Sequence, residues 1–214
     1  MSRVCVDQAG GGLLTHGLNE PVQKIGVCRH NAAVESVTEE PDRFDIVPLL
    51  NPWGWSRDVR YDRDGRDINR DFATFATQEA RVFRDIVAGR RYVLAIDHHE
   101  DPSGKGFYLY QYAQRDTTAT RATIDRVRRL GFAIEQDVSM VILRAKDGLI
   151  RAPRWGLWYM KATGQLSITN WLRLGGVDRV YTVETPEVLA LEDRVALHRV
   201  AFASLAGDAL EGGR

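Results

Sequence analysis

Cysteine is scarce in this sequence, and so are long apolar runs and any excess of charge of one sign. The two cysteines, Cys5 and Cys28, form no CxxC pair, which favours neither a disulfide framework nor a thiolate metal site. Lysine plus arginine and aspartate plus glutamate both number 29, so the net charge provides no attraction to nucleic acid or to an anionic membrane. The composition therefore predicts a cytoplasmic protein with reduced thiols and no nucleic-acid partner.

Membrane insertion and export are not expected either. Residues 1–8 lack the apolar core of a secretory signal, and nowhere do about 18 apolar residues run together. With 214 residues, 44% hydrophobic and 27% charged, the chain is long enough to bury a sizeable core. We therefore expect one domain that spans residues 1–214.

Short apolar runs alternate with amphipathic segments, a pattern typical of a layered α/β fold. The predicted strands are 44–50, 92–96, 107–112 and 180–183. The predicted helices are 78–88, 117–130, 166–174 and a last helix from Pro186 onward, whose buried stripe would be Val188, Leu191, Val195 and Phe202. Polar clusters follow three of these strands, where ligands bind in open α/β sheets.

Three polar clusters stand out in the sequence. They comprise Asn51–Trp55 with Arg60 and Asp67–Phe72, then Asp97–Pro102, and finally Thr182–Pro186. Taken singly, each has a structural explanation as a turn, a solvated loop or a helix-capping acid.

In this order and at these separations the clusters resemble the M14 family of zinc metallocarboxypeptidases, over approximately residues 44–190. The resemblance implies a three-layer α/β/α fold with a mostly parallel, mixed and twisted sheet of eight strands. It also implies one catalytic zinc ion per chain and hydrolysis of a C-terminal peptide or related amide bond.

The resemblance assigns a role to each matching residue. Asn69 and Arg70 match the pair that holds the substrate's terminal carboxylate, and Arg60 matches the arginine that polarises the scissile carbonyl. His99 matches the third zinc ligand, with Asp97 as a hydrogen-bond acceptor for its ring. Glu184 matches the catalytic glutamate that takes a proton from the zinc-bound water.

Two parts of the metal site leave alternatives open. His98 competes with His99, but adjacent side chains of an extended segment point to opposite faces, and the match favours His99. The first two zinc ligands would be His16 and Glu20, which are separated by one residue more than the family's His-x-x-Glu. They can converge on one ion if the segment bulges or is helical, and otherwise they form a surface turn. The family's N-terminal strands would then be shortened or rebuilt.

Several aromatic residues and histidines have no assigned role. The family's mobile tyrosine could be any of five residues, namely Tyr108, Tyr110, Tyr112, Tyr159 and Tyr181. The tryptophans are expected to pack rather than to bind substrate, and these are Trp53, Trp55, Trp155, Trp158 and Trp171. His30 and His198 are interpreted as structural, with His198 on the outer part of the last helix.

Three functions compatible with the motifs remain open. The first is a zinc carboxypeptidase acting on a peptide with a free carboxylate, and the second is an N-acyl-amino-acid deacylase similar to the desuccinylase and aspartoacylase branch. The third is a non-catalytic module that keeps Arg60, Asn69 and Arg70 but has lost the metal. The Asp-Ile-Asn-Arg and Asn-Pro-Trp-Gly segments favour the peptidase.

Overall fold

The structure is a computed structural model that describes residues 24–28, 44–114, 116–136, 139–140 and 143–211. Its strands are β1 (Lys24–Cys28), β2 (Phe44–Val47), β3 (Leu94–Asp101), β4 (Tyr108–Tyr112), β5 (Ser139–Met140), β6 (Leu143–Arg144), β7 (Leu149–Ala152) and β8 (Arg179–Pro186). Its helices are α1 (Pro52–Trp55), α2 (Gln78–Val87), α3 (Thr118–Arg129), α4 (Arg154–Ala162), α5 (Ile168–Leu174) and α6 (Leu191–Glu211), with a 3-10 turn at Ile68–Arg70. Among these helices, none is both long and apolar enough to cross a membrane.

Six of the described strands form one sheet in the order β2-β1-β3-β8-β4-β7. The sheet is mixed, because β3 pairs with β8 and β4 with β7 in parallel, whereas β1–β2, β1–β3 and β4–β8 are antiparallel. Strands β5 and β6 form a separate two-stranded ladder. The predicted α/β class with a mixed sheet is therefore confirmed.

Helices cover the two faces of this sheet. Helices α3 and α6 pack against each other, and α6 also contacts β3 and β8. Helix α5 contacts β3, β4 and β8. It lies on the opposite face, because the side chain of Gln111 bonds to Thr120 of α3, whereas the side chain of its neighbour Tyr112 bonds to Thr169 of α5. The three-layer α/β/α arrangement follows from these contacts.

The central strands are apolar on both faces, as expected for strands covered by helices on each side. Leu94, Ala95 and Ile96 are all buried in β3, and Val180 and Val183 are fully buried in β8. Strands of this kind appear in the sequence as continuous apolar runs, which is why β3 and β8 were both predicted as strands.

Both central strands continue beyond their apolar runs. Strand β3 was predicted to end at Ile96 and β8 at Val183, but their ladder extends to the pair Asp101 and Pro186. The polar residues at the strand ends therefore belong to the sheet and do not lie in loops. Their side chains find polar partners in several places, since Asp97 bonds to His99 of the same strand, Asp101 to Tyr108 of β4, and Glu100 to Arg194 of α6.

The prediction for the last helix was wrong at its start. Pro186 ends β8, and α6 begins at Leu191. Val188 and Leu191, two members of the predicted stripe, are 82% and 62% exposed. Phe202, a further member of the predicted stripe, does pack against the core. The fully buried residues of α6 include Leu197, Ala201 and Leu205, which are spaced at helical intervals.

Candidate active site

His99 and Glu184 occupy register positions opposite each other on the parallel strands β3 and β8. Side chains of paired residues in neighbouring strands lie on the same face of a sheet, about 4.8 Å apart at the backbone. Both therefore project toward the layer that contains α5. The fold thus brings together two residues that lie far apart in the sequence.

Asp97 holds the His99 ring on this face. Its Oδ2 lies 2.8 Å from Nε2 of His99, and both residues are buried. Burial alone would lower the pKa of His99, but the charge and hydrogen bond of Asp97, together with the charge of Glu184, raise it. The hydrogen bond to Asp97 keeps the proton on Nε2, so Nδ1 is the ring nitrogen that remains for a ligand.

His98 points to the other face, as strand alternation predicts. Its Nδ1 lies 2.9 Å from Nδ1 of His198, and Nε2 of His198 lies 3.2 Å from Oγ1 of Thr185. His198 is 9% exposed and faces the sheet, so its expected place on the outer part of the helix was wrong. The structure therefore separates the two adjacent histidines into different environments.

Glu184 has an altered acidity in this position. The residue is partly exposed, yet enough protein surrounds its carboxyl group that burial raises the pKa to about 7. That value already includes the charges of Asp101 and Asp97, which raise the pKa of Glu184, and those of His99 and Arg60, which lower it. A carboxyl group with such a pKa can both accept and return a proton near neutral pH.

Arg60 is held by a residue whose role the sequence did not reveal. Nε and Nη2 of Arg60 lie 2.9 and 2.8 Å from Oδ2 of Asp67. The positive charge of Arg60 lowers the pKa values of both His99 and Glu184, so it acts electrostatically on the site. The Oδ1 atom of Asp67 accepts the backbone N–H of Asn69 at 3.0 Å, which links this arginine to the predicted carboxylate clamp. The position of Asp67 immediately before the 3-10 turn, where a capping acid is favoured, was the available signal.

Asn69 and Arg70 follow on that turn. Oδ1 of Asn69 accepts the backbone N–H of Ile168 at 3.1 Å, which anchors the start of α5 and leaves its Nδ2 without an acceptor in the described part of the chain. Nη1 of Arg70 donates to the carbonyl of Asn69, and no described carboxylate pairs with its guanidinium. Both side chains therefore keep N–H donors of the kind that bind a carboxylate.

Asn51 anchors the loop that carries Arg60. Its Nδ2 donates to the carbonyls of Arg60 and Tyr61, both at 3.1 Å, and its Oδ1 accepts the N–H of Gly54 at 2.8 Å. A Cβ atom at Gly54 would lie 2.2 Å from Nδ2 of Asn51 and 2.4 Å from the carbonyl of Val59. Only glycine fits there, so the Asn-Pro-Trp-Gly segment is a structural support for Arg60.

The alternation along β4 narrows the choice of tyrosine. Tyr108, Tyr110 and Tyr112 lie on the same face as Glu184, and the hydroxyl of Tyr108 donates to Asp101 at 2.7 Å. Burial raises the pKa of all three, that of Tyr112 to about 12, so they remain protonated donors. Tyr181 faces the opposite layer, and Tyr159 is exposed on α4.

The five tryptophans differ in burial, and Trp53 is half-buried with the guanidinium of Arg57 4.5 Å from the centre of its ring. Trp171 packs as predicted, in a cluster with Phe72, Phe75 and Phe83. Trp55, Trp155 and Trp158 are each more than half exposed, so they do not pack as expected.

The predicted metal ligands His16 and Glu20 lie outside the described residues, and so does His30. Within the described ranges, no three histidine, cysteine, aspartate or glutamate residues group together as a metal site would require. The described part of the chain thus offers one of the predicted ligands. His99 itself fits the role, because its Nε2 is engaged by a buried carboxylate and its Nδ1 is not.

No protein-family model matches this chain, and no curated protein matches it significantly. Solved structures do match. A provisionally assigned metallopeptidase of Shewanella denitrificans is 21% identical to this chain, with a TM-score of 0.61. A second provisionally assigned metallopeptidase, from Shewanella baltica, is 22% identical, with a TM-score of 0.62. Both alignments cover 76% of this chain, and the chain spans 60% and 62% of the length of those two proteins.

A metallo-carboxypeptidase of Burkholderia cenocepacia is similar as well, with 16% identity, a TM-score of 0.53 and coverage of 78% of this chain and 45% of that one. At such low identity the similarity concerns the fold. The described chain therefore has a fold similar to those of the metallopeptidase and carboxypeptidase structures.

Proposed function

We propose that this protein is a zinc-dependent hydrolase of the carboxypeptidase type, which cleaves a C-terminal peptide bond or a related amide bond. The observation that carries the proposal is the placement of His99 opposite Glu184, with the ring of His99 held by Asp97. A metal ligand and a carboxyl group with a pKa of about 7 then lie side by side, as hydrolysis by an activated water requires.

His99 would hold the zinc ion through Nδ1, with His16 and Glu20 as the further proposed ligands. Zinc, when bound, lowers the pKa of a coordinated water and polarises a carbonyl group. Glu184 accepts the proton of the attacking water and later donates it to the leaving amine. Its pKa of about 7 suits both steps.

The arginines and Asn69 orient the substrate in this proposal. Arg70 and the Nδ2 group of Asn69 bind the terminal carboxylate, because no described carboxylate uses their N–H groups. Arg60, fixed by Asp67, stabilises the negative charge that develops on the carbonyl oxygen. The preferred partner is therefore a peptide, or a small acyl-amino acid, with a free carboxylate.

The first experiment is to measure the zinc content of the full chain, purified without chelators, in the parent and in His99→Ala. The proposal expects about one zinc ion per parent chain and its loss in the variant. The matched control is His98→Ala, which removes the adjacent ring on the opposite face and should keep the metal. A folded parent without zinc would instead favour the non-catalytic module.

Turnover of a substrate panel then identifies the reaction. Cleavage of peptides with a free terminus, but not of their amidated forms, supports a carboxypeptidase, whereas cleavage of N-acyl-amino acids alone supports the deacylase. Arg70→Ala should raise KM for free-terminus substrates by about tenfold, as loss of a charge-assisted hydrogen bond implies. An equal effect on amidated substrates would remove Arg70 from the clamp.

A further inference from the structure

A cavity that is partly open to solvent lies at helices α4 and α5, remote from His99 and Glu184. It has a volume of about 140 Å³ and is lined by Ala113, Arg154, Leu157, Trp158, Arg173, Leu174 and Gly176. Because β4 runs antiparallel to β8, the end of β4 at Ala113 lies at the opposite edge of the sheet from the end of β8. The cavity is thus separate from the candidate active site.

The charge around this cavity is of one sign. Residues 148–177 contain no aspartate or glutamate, although they include Arg151, Arg154, Lys161 and Arg173. The chain as a whole is neutral, so this stretch is an exception. No described residue forms an ion pair with Arg154 or Arg173.

Arg173 is fixed rather than mobile. Its Nε donates to the carbonyl of Tyr112 at 3.0 Å, its Nη1 to Val177 at 3.1 Å and its Nη2 to Ala113 at 3.3 Å. These three bonds leave two of the five guanidinium N–H groups for another acceptor. Ala113 has a φ of 52°, a conformation that non-glycine residues seldom adopt and that is found at ligand sites.

The other walls of the cavity are apolar. Leu157 and Leu174 contribute aliphatic surface, and the Trp158 indole contributes a flat ring. The volume is close to that of an engineered cavity of about 150 Å³ that holds benzene. Arg154, at the start of α4, lies on the lining as a second cation.

We propose that this cavity is a binding site for a small aromatic or similarly planar carboxylate. The planar group would lie against Trp158 and the leucines, and the carboxylate would accept hydrogen bonds from Arg154 and Arg173. This site does not depend on the hydrolytic function or on the metal.

The test is an NMR titration of the ¹⁵N-labelled full chain with benzoate, following the indole N–H of Trp158 and the Nε–H of Arg173. Both signals should shift, Arg154→Gln should weaken binding about tenfold, and neutral benzamide should bind at least about tenfold more weakly. Arg151→Gln is the matched control, because it removes an exposed charge of the same segment that does not line the cavity, and it should change the affinity less than about twofold.

Four outcomes would overturn this proposal. Equal affinity for benzamide would exclude recognition of the anion, and equal effects of Arg154→Gln and Arg151→Gln would exclude a specific contact. Inorganic phosphate binding as tightly as benzoate would show that the apolar wall contributes nothing. Shifts that disappear in Arg70→Ala would place the benzoate in the candidate active site, whereas retained shifts support the cavity.

Discussion

The polar residues of β3 alternate between the two faces of the central sheet, and their side chains have different partners on each face. On the face toward α6, polar groups pair with one another, since His98 contacts His198 and Glu100 pairs with Arg194. On the face toward α5, Asp97 and His99 bond to each other, and Oδ1 of Asp97 is buried without a hydrogen-bond donor among the described residues. The first face joins its polar side chains to the helix that covers it, whereas the second joins Asp97 and His99 within one strand and places Glu184 opposite His99.

Removal of the proposed base is expected to have the largest effect on the α5 face. Glu184→Gln should lower kcat by about 10²- to 10⁴-fold, because the amide cannot accept a proton. Zinc content should not change, since Glu184 is not among the proposed ligands. The measurement is kcat on free-terminus peptides with metal analysis of the same sample. Undiminished turnover would exclude Glu184 as the base.

Breaking the ion pair on the α6 face should cost stability instead. Glu100 and Arg194 have side chains that are 15% and 16% exposed, so Arg194→Gln removes the positive charge that faces a mostly buried carboxylate. We expect a loss of about 3 kcal/mol in the free energy of unfolding, measured by urea denaturation. Arg199→Gln, an exposed position of the same helix, is the control and should change stability by less than about 0.5 kcal/mol. Similar losses of unfolding free energy in the two variants would show that the Glu100–Arg194 pair does not stabilise the fold.

Asp97→Asn tests whether the buried carboxylate serves the histidine. Asparagine keeps the shape but not the charge, so the metal affinity of the site should fall by about 10- to 100-fold. Competition with a chromogenic chelator measures this change. The same affinity in parent and variant would contradict a supporting role of Asp97 for His99.

The smallest expected effect concerns Asp71, which organises the loop before α2. Its carboxylate accepts from the backbone of Ala76 and Thr77 and from the hydroxyls of Thr74 and Thr77. Burial opposes ionisation, but these hydrogen bonds outweigh it and lower the pKa of Asp71 below its usual value. Asp71→Asn should therefore cost about 1–2 kcal/mol at pH 7.

This cost should depend on pH with a definite sign. Because the folded pKa of Asp71 is below the unfolded value of about 3.9, the stabilisation is complete above that value and is lost as pH falls through the folded pKa. Urea unfolding at pH 7 and pH 3 should show the parent and Asp71→Asn converging at the lower pH. A difference that stays constant would mean that the carboxylate charge is not what stabilises the loop.

Much of the fold was accessible from the sequence, because buried strands and amphipathic helices leave periodic signals. No end of α2 or α3 differs from the predicted helix by more than one residue. Thr77 caps α2 by accepting the backbone N–H of Ala80, whereas Thr117 precedes α3 without a capping hydrogen bond. The start of α6 was predicted wrongly because Pro186 suits a helix start as well as a strand end, and only its pairing with Asp101 decides.

The candidate site was only partly accessible. The roles of Asp67 and Asn51 depend on contacts with Arg60 across a loop, which no residue spacing encodes. The same holds for Asn69, whose Oδ1 bonds to a residue 99 positions away.

The sequence by itself determined the layered α/β class and the order of the polar clusters, since hydrophobic periodicity and local motifs are properties of neighbouring residues. The tertiary structure alone decided which side of the sheet each polar residue serves. His98 and His99 are identical in chemistry and adjacent in the chain, and they differ only because strand pairing turns one toward α6 and the other toward Glu184.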